Sequence, residues 1–224
     1  MSWLQLHPEG LAARVKESGR PLDVPTLGAS LLRGIVGFTI VSVAGFAPWA
    51  LTGGWVRKAV GEAGMYAACA VVFIGLTGPL LHRLILGPGS LARFYKLFGV
   101  AFAAYSVAWI AGWMALGGHK GSLAGLFAGT AVMGTILAAA FGSRSAALPS
   151  IAALFVLNSA GYFVGGWVEA AVARSGPLPL AMTLWGVCYG IGLGAGLGLA
   201  FHLCQADHRM RPAAGSGEGD EPNR

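Results

Sequence analysis

Asn158, Tyr162 and Glu169 are the residues of this chain whose types and spacing point most directly to chemistry. At about 100° per residue they share one helical face with Gly165, so an amide, a hydroxyl and a carboxylate stand in file. Such a stripe can hydrogen-bond a solute and end in a charged mouth, or it can be a hydrogen-bonded seam between two helices. In the first reading Asn158 and Tyr162 are solute-binding groups and Glu169 is the mouth charge.

A second group gathers where apolar segments end. His82 and Arg83 close one segment, His202 closes another at matching depth, and Arg93 and Lys96 follow nearby. Two histidines at one depth suit a metal or haem site, or acid–base work at a lipid headgroup. A catalytic metal wants at least three protein ligands, and neither histidine stands in an HxxxH or HxxE pattern. No metal or cofactor is therefore expected, and His82, Arg83, Arg93 and Lys96 are read as contacts to headgroup phosphates. Cys69, Cys188 and Cys204 have no CxxC spacing and read as small core residues.

The segments that carry these groups are set by composition. Of 224 residues 55% are hydrophobic, 36 are glycine and only 11% are charged, against roughly 25% charged in soluble domains. That few charges cannot cover a soluble core, which excludes an ordinary cytosolic enzyme, a disulfide scaffold and a disordered regulator. The net charge of +6 is spread as single Lys and Arg residues around apolar blocks. Lipid headgroups, not nucleic acid, are the partner this pattern suits. The first 30 residues lack an uninterrupted apolar run, so no cleaved signal peptide is expected.

Apolar blocks long enough to cross about 30 Å of hydrocarbon recur at 34–55, 65–86, 95–117, 122–142, 149–172 and 179–204. Short breaks separate them, around Arg57 to Glu62, Gly87 to Ser90, Gly117 to Lys120, Ser143 to Ser145 and Ser175 to Pro177. Backbone groups cannot stay unpaired in lipid, and unbroken apolar runs do not alternate as barrel strands do. The expected fold is an all-α integral membrane protein, a six-transmembrane-helix up-and-down bundle. Residues 1–33 form an N-terminal segment, 34–204 the membrane domain and 205–224 a disordered tail. Around Arg14 and Lys16, the residues Trp3, Leu4, Leu6, Leu11, Ala12 and Val15 suit an interfacial helix.

An even number of spans puts both tails on one side. Eleven of the 15 Lys and Arg residues fall on that side and four on the other, so both termini are expected in the cytoplasm and the protein in the inner membrane. The outward-going helices end in Gly54-Trp55, Gly112-Trp113 and Gly166-Trp167. This is either the aromatic belt of one interface or the mark of three tandem helical hairpins.

Gly186, Gly190, Gly194 and Gly198 recur every fourth residue in the last span, as do Gly121, Gly125 and Gly129 in the fourth. Ridges of this kind let helix backbones approach closely, inside one bundle or toward a second copy or another membrane subunit. Pro48 and Pro79 lie within spans, and Thr77-Gly78-Pro79 reads as the better hinge because two breakers coincide. No span carries a charge at its centre, so coupling to ions is not expected. The preferred function is binding or passive movement of a small neutral or apolar solute or a lipid. The alternatives are a non-catalytic accessory subunit of a larger membrane complex, and an embedded enzyme or haem/metal protein using His82 and His202.

Overall fold

The computed structural model describes residues 6–19, 22 and 24–206, and among them every regular element is helical. Pro8–Ser18 forms α1, Leu27–Leu81 forms α2, Ser90–Leu116 forms α3, Gly118–Phe141 forms α4, Ala147–Ala173 forms α5 and Leu178–Cys204 forms α6. Six stretches are long and apolar enough to cross a membrane, and α2 supplies two of them, Leu27–Leu51 and Ala67–Leu84. The chain is thus a multi-pass, all-α membrane bundle. Of the expected disordered tail 205–224, residues 207–224 lie outside the described residues, as do Trp3 and Leu4 of the expected interfacial helix, whereas Gln205 is buried and hydrogen-bonded to the fold.

One residue separates the two arms of α2. Gly61 has φ 73 and ψ 178, a conformation that side-chain-bearing residues rarely adopt, and it sits in the polar break beside Arg57 and Lys58. The arms then run antiparallel, with Gly37 against Leu81 and Gly45 against Phe73. Neither internal proline takes the backbone out of helical φ/ψ, so the helix runs on through Thr77-Gly78-Pro79. Pro79 has no N–H for the carbonyl four residues earlier. That carbonyl, on Gly75, accepts instead from the Tyr95 hydroxyl of α3 at 2.6 Å. A neighbouring span therefore satisfies the group that the proline frees, as lipid surroundings demand.

The glycine ridges are used within the bundle, and α6 carries two of them on different faces. A side chain at Gly190 would press on Thr39, at Gly194 on Gly34 and at Gly198 on Ser30, all in the first arm of α2. Gly186 lies on the same line, where its carbonyl accepts from Ser42 Oγ at 2.8 Å. On the other face Gly192 meets Leu157 and Gly161 of α5, and Gly196 meets Leu154. Within the next hairpin Gly121, Gly125 and Gly129 of α4 lie against Trp113, Trp109 and Tyr105 of α3. Such contacts replace the hydrophobic drive that helices lack in lipid. As a result α6 is the central helix, with 67% of its span buried against 22% for α5.

The three Gly-Trp ends share an exposed interface, with Trp55 75%, Trp113 44% and Trp167 72% exposed. Their packing differs: Gly112 presses on Gly125, whereas Gly54 and Gly166 have no described neighbour within 4 Å. The three ends are therefore alike in exposure and unlike in contacts. At the tail side, where α2 begins and α6 ends, α1 is tied down by Leu6 and Leu11, 2% and 6% exposed. It closes with Gly19 in the left-handed conformation, whose N–H bonds the Val15 carbonyl.

Candidate functional site

Along α3 the residues Phe94, Phe98, Phe102, Tyr105, Trp109 and Trp113 succeed one another at three- and four-residue steps, which stacks them on one face. Ring centroids are 5.1 Å apart for Phe94–Phe98, 5.3 Å for Phe98–Phe102 and 5.8 Å for Phe102–Tyr105. A shorter stack on α6 pairs Trp185 with Tyr189 at 5.1 Å. From the second arm of α2, Phe73 stacks on Phe102 at 4.9 Å.

Beyond Phe73 and Phe102 these helices line a chamber of about 550 Å³, open at one side past the exposed Ile74 and Ile110, in the half of the bundle away from the tails. Its walls are Gly45 and Phe46 from the first span, Cys69, Ala70, Phe73 and Ile74 from the second, and Phe102, Tyr105, Ser106, Trp109 and Ile110 from the third. Tyr162 of α5 with Trp185 and Tyr189 of α6 complete it. The lining is mainly apolar and aromatic, and the polar groups its residues carry are three tyrosine hydroxyls, the Ser106 hydroxyl, the indole N–H groups of Trp109 and Trp185 and the Cys69 thiol. Tyr105, Tyr162 and Tyr189 lie near enough to interact electrostatically.

Asn158 underpins that cluster. It is fully buried, and its Nδ2 donates to the Tyr105 hydroxyl at 2.9 Å. Its Oδ1 is buried without a described hydrogen-bond partner. A buried amide held by one of its two polar ends is costly in hydrocarbon unless a further donor reaches it.

Of the sequence-predicted stripe, Tyr162 borders the chamber and two cavities nearer the far surface, of about 570 and 250 Å³, and Glu169 lines both of those. Asn158, Tyr162 and Glu169 thus mark successive depths on one side of α5. Gly161 and Gly165 of the same helix lie against α6 instead. Sequence reading missed Tyr105, Ser106, Trp109, Trp185 and Tyr189. The aromatic file on α3 was visible as helical spacing, but only the folded bundle turns it toward α2, α5 and α6.

At the tail side the candidate residues take different roles. Arg93 is 5% exposed, and its Nη2 donates to the carbonyls of Leu86, Gly87 and Pro88 at 3.0, 3.2 and 2.7 Å. It fastens the loop between α2 and α3, where Gly87 and Gly89 have φ 83 and 69. That position corrects the expectation of an open headgroup contact: its donors face a loop. Arg83 and Lys96 are exposed. Arg83 lines a cavity of about 410 Å³ together with Arg33, His82 and Ser90.

His82 Nδ1 is 2.8 Å from Ser90 Oγ, and His202 Nδ1 is 3.4 Å from Ser30 Oγ. Among the described residues no three His, Cys, Asp or Glu side chains group as metal ligands. Gln205, unremarked in the sequence, binds the same loop: its Oε1 accepts from Leu86 N at 2.9 Å and its Nε2 donates to Leu84 O at 2.8 Å.

Fold and site define a polytopic helical membrane protein with an aromatic chamber inside its bundle. Among curated proteins, the chain is 34% identical over 129 residues to a phytol kinase of Synechocystis sp., an alignment covering 57% of this chain and 52% of that protein. The chain therefore spans about half the length of the curated relative it matches. No protein-family model matches the chain, and no solved structure does.

Proposed function

We propose that this protein holds an elongated apolar molecule with one neutral polar group, of the type of a long-chain isoprenoid alcohol, in the aromatic chamber. The observation that carries the proposal is the tyrosine cluster beneath an otherwise apolar cavity, with the unsatisfied Asn158 oxygen behind Tyr105. A volume near 550 Å³ falls in the range of about 300–1,000 Å³ usual for ligand sites. Hydrocarbon is matched by the ring-lined walls, and a hydroxyl is matched by groups that both donate and accept. Charged solutes are disfavoured, because no span carries an Asp, Glu, Lys or Arg near its centre. In this reading the bundle sits in the inner membrane with both tails in the cytoplasm, and binding or passive passage of the lipid is its task.

The likeness to a phytol kinase supports the choice of ligand, since that relative is named for an isoprenoid alcohol. It also favours a second reading, phosphoryl transfer to the bound alcohol. The basic cavity around Arg83 would then face a phosphate-bearing donor. Distance speaks for binding alone: Ser90 and Tyr105 lie on one helix, and their fifteen-residue separation is about 22 Å at 1.5 Å per residue. A donor at the tail side does not reach a hydroxyl held at Tyr105.

Photo-crosslinking tests the proposal. A diazirine-bearing isoprenoid alcohol added to the purified protein is expected to label peptides of α3 and α6 around Ser106, Trp109 and Trp185, and excess phytol to suppress that labelling. Labelling confined to lipid-facing residues such as Val107 or Leu148 would contradict it. Phosphorylation of phytol by a nucleotide in proteoliposomes would move the second reading ahead.

A further inference from the structure

Glu169 is the sole carboxylate in the six spans, and it makes no hydrogen bond or ion pair to any described residue. It is half-buried among rings: the larger far-side cavity, about 570 Å³, places it with Trp113, Trp167, Trp185, Tyr162 and Phe163. Three of those rings meet at near right angles. Tyr162 and Trp185 are inclined by 80° with centroids 5.9 Å apart, and Tyr162 and Phe163 by 85° at 5.3 Å. His119 lines the same cavity without bonding the carboxylate.

We infer that this cavity binds an organic ammonium group, held by the Glu169 carboxylate and the surrounding aromatic faces. Each ring face carries negative quadrupolar charge, so a weakly hydrated quaternary ammonium gains from several rings at once. A carboxylate beside them supplies full opposite charge and, half-buried, is screened less than one at an open surface. Small strongly hydrated cations such as sodium gain less, because the rings do not replace lost water. The site does not depend on the alcohol-binding reading of the inner chamber, although Tyr162 and Trp185 border both cavities. The ammonium belongs either to a phospholipid headgroup or to a free amine, and the same chemistry recognises both.

The test uses the full chain in maltoside detergent, with tetramethylammonium chloride titrated against sodium chloride at equal ionic strength and indole fluorescence as readout. Tetramethylammonium is expected to change the emission saturably and sodium not to. Glu169→Gln should weaken that response about tenfold or more, and Trp167→Leu, which keeps the carboxylate, by a smaller factor. Identical curves for the two salts, or a Glu169→Gln protein that binds as the wild type does, would overturn the site. If Glu169→Gln does not fold, unchanged affinity in Trp167→Leu overturns it instead.

Nanodiscs of mixed phosphatidylcholine and phosphatidylglycerol, read by native mass spectrometry, separate the sources. Preferential retention of phosphatidylcholine that Glu169→Gln abolishes identifies a headgroup site. Tetramethylammonium binding without lipid preference identifies a site for free ammonium compounds. Isoprenoid-alcohol binding should survive Glu169→Gln, so failure of this site and failure of the inner chamber are distinguishable.

Discussion

Asn158 on α5 donates from Nδ2 to the hydroxyl of Tyr105 on α3 at 2.9 Å, while its buried Oδ1 has no hydrogen-bond partner among the described residues. The bond joins two helices beside the chamber and leaves an acceptor in store. Hydrogen bonds between membrane helices average only about 0.6 kcal/mol, so this one is a weak strut. Asn158→Leu is expected to change stability by less than about 1 kcal/mol, read as the thermal midpoint in detergent, while weakening alcohol binding. A large loss of stability would make the pair primarily a structural seam.

Glycine contacts give a sharper contrast. A Cβ at Gly194 would overlap the Gly34 carbonyl, whereas Gly99 on α3 has no described neighbour within 4 Å. Gly194→Ala should cost about 1–3 kcal/mol through forced separation of α6 from α2. Gly99→Ala, relieving a helix-weakening glycine, should be neutral or raise stability by a few tenths up to about 1 kcal/mol. Thermal unfolding of the two solubilised variants checks this, and equal midpoints would contradict the close contact.

Removal of the Tyr95 hydroxyl should expose what the proline conceals. Tyr95→Phe leaves the Gly75 carbonyl without the donor that replaces the missing Pro79 N–H. The expected cost is about 1–3 kcal/mol, the usual range for a polar group left unsatisfied away from water. Pro79→Ala in the same background should return much of it by restoring the helical hydrogen bond. A Tyr95→Phe protein as stable as wild type would show that the carbonyl finds another donor.

Labelling tests the orientation. Lys120, in the first turn of α4, and Ser145, in the short connection that follows α4, are exposed and stand at opposite ends of that helix. In a background lacking Cys69, Cys188 and Cys204, Lys120→Cys should react with an impermeant thiol reagent on intact cells, and Ser145→Cys only after permeabilisation. The reverse pattern would place both tails outside.

The six spans were legible because 20-residue apolar runs and glycine-rich breaks leave few folds that satisfy every backbone group in lipid. Periodicity likewise put Asn158, Tyr162 and Glu169 on one face, and the bundle keeps that order. The rest depended on which faces meet. Tyr105 and Tyr189 come from spans three and six, and no pattern along the chain announces their approach. Thr77-Gly78-Pro79 reads as a hinge because two breakers coincide in sequence, while the Tyr95 hydroxyl that satisfies the carbonyl freed by Pro79 comes from the next span. Arg93 was read from charge alone; its burial follows from the inward carbonyls of a loop turned by Gly87 and Gly89.

Saturable binding of a labelled isoprenoid alcohol tests the central claim most directly. Radiolabelled phytol is titrated onto the purified full chain and onto Ser106→Trp, which fills the chamber from α3. One saturable site per chain is expected, lost in Ser106→Trp and weakened several-fold in Tyr105→Phe, with both variants still folded by circular dichroism. Partitioning that never saturates, or equal binding by wild type and a folded Ser106→Trp protein, would contradict it.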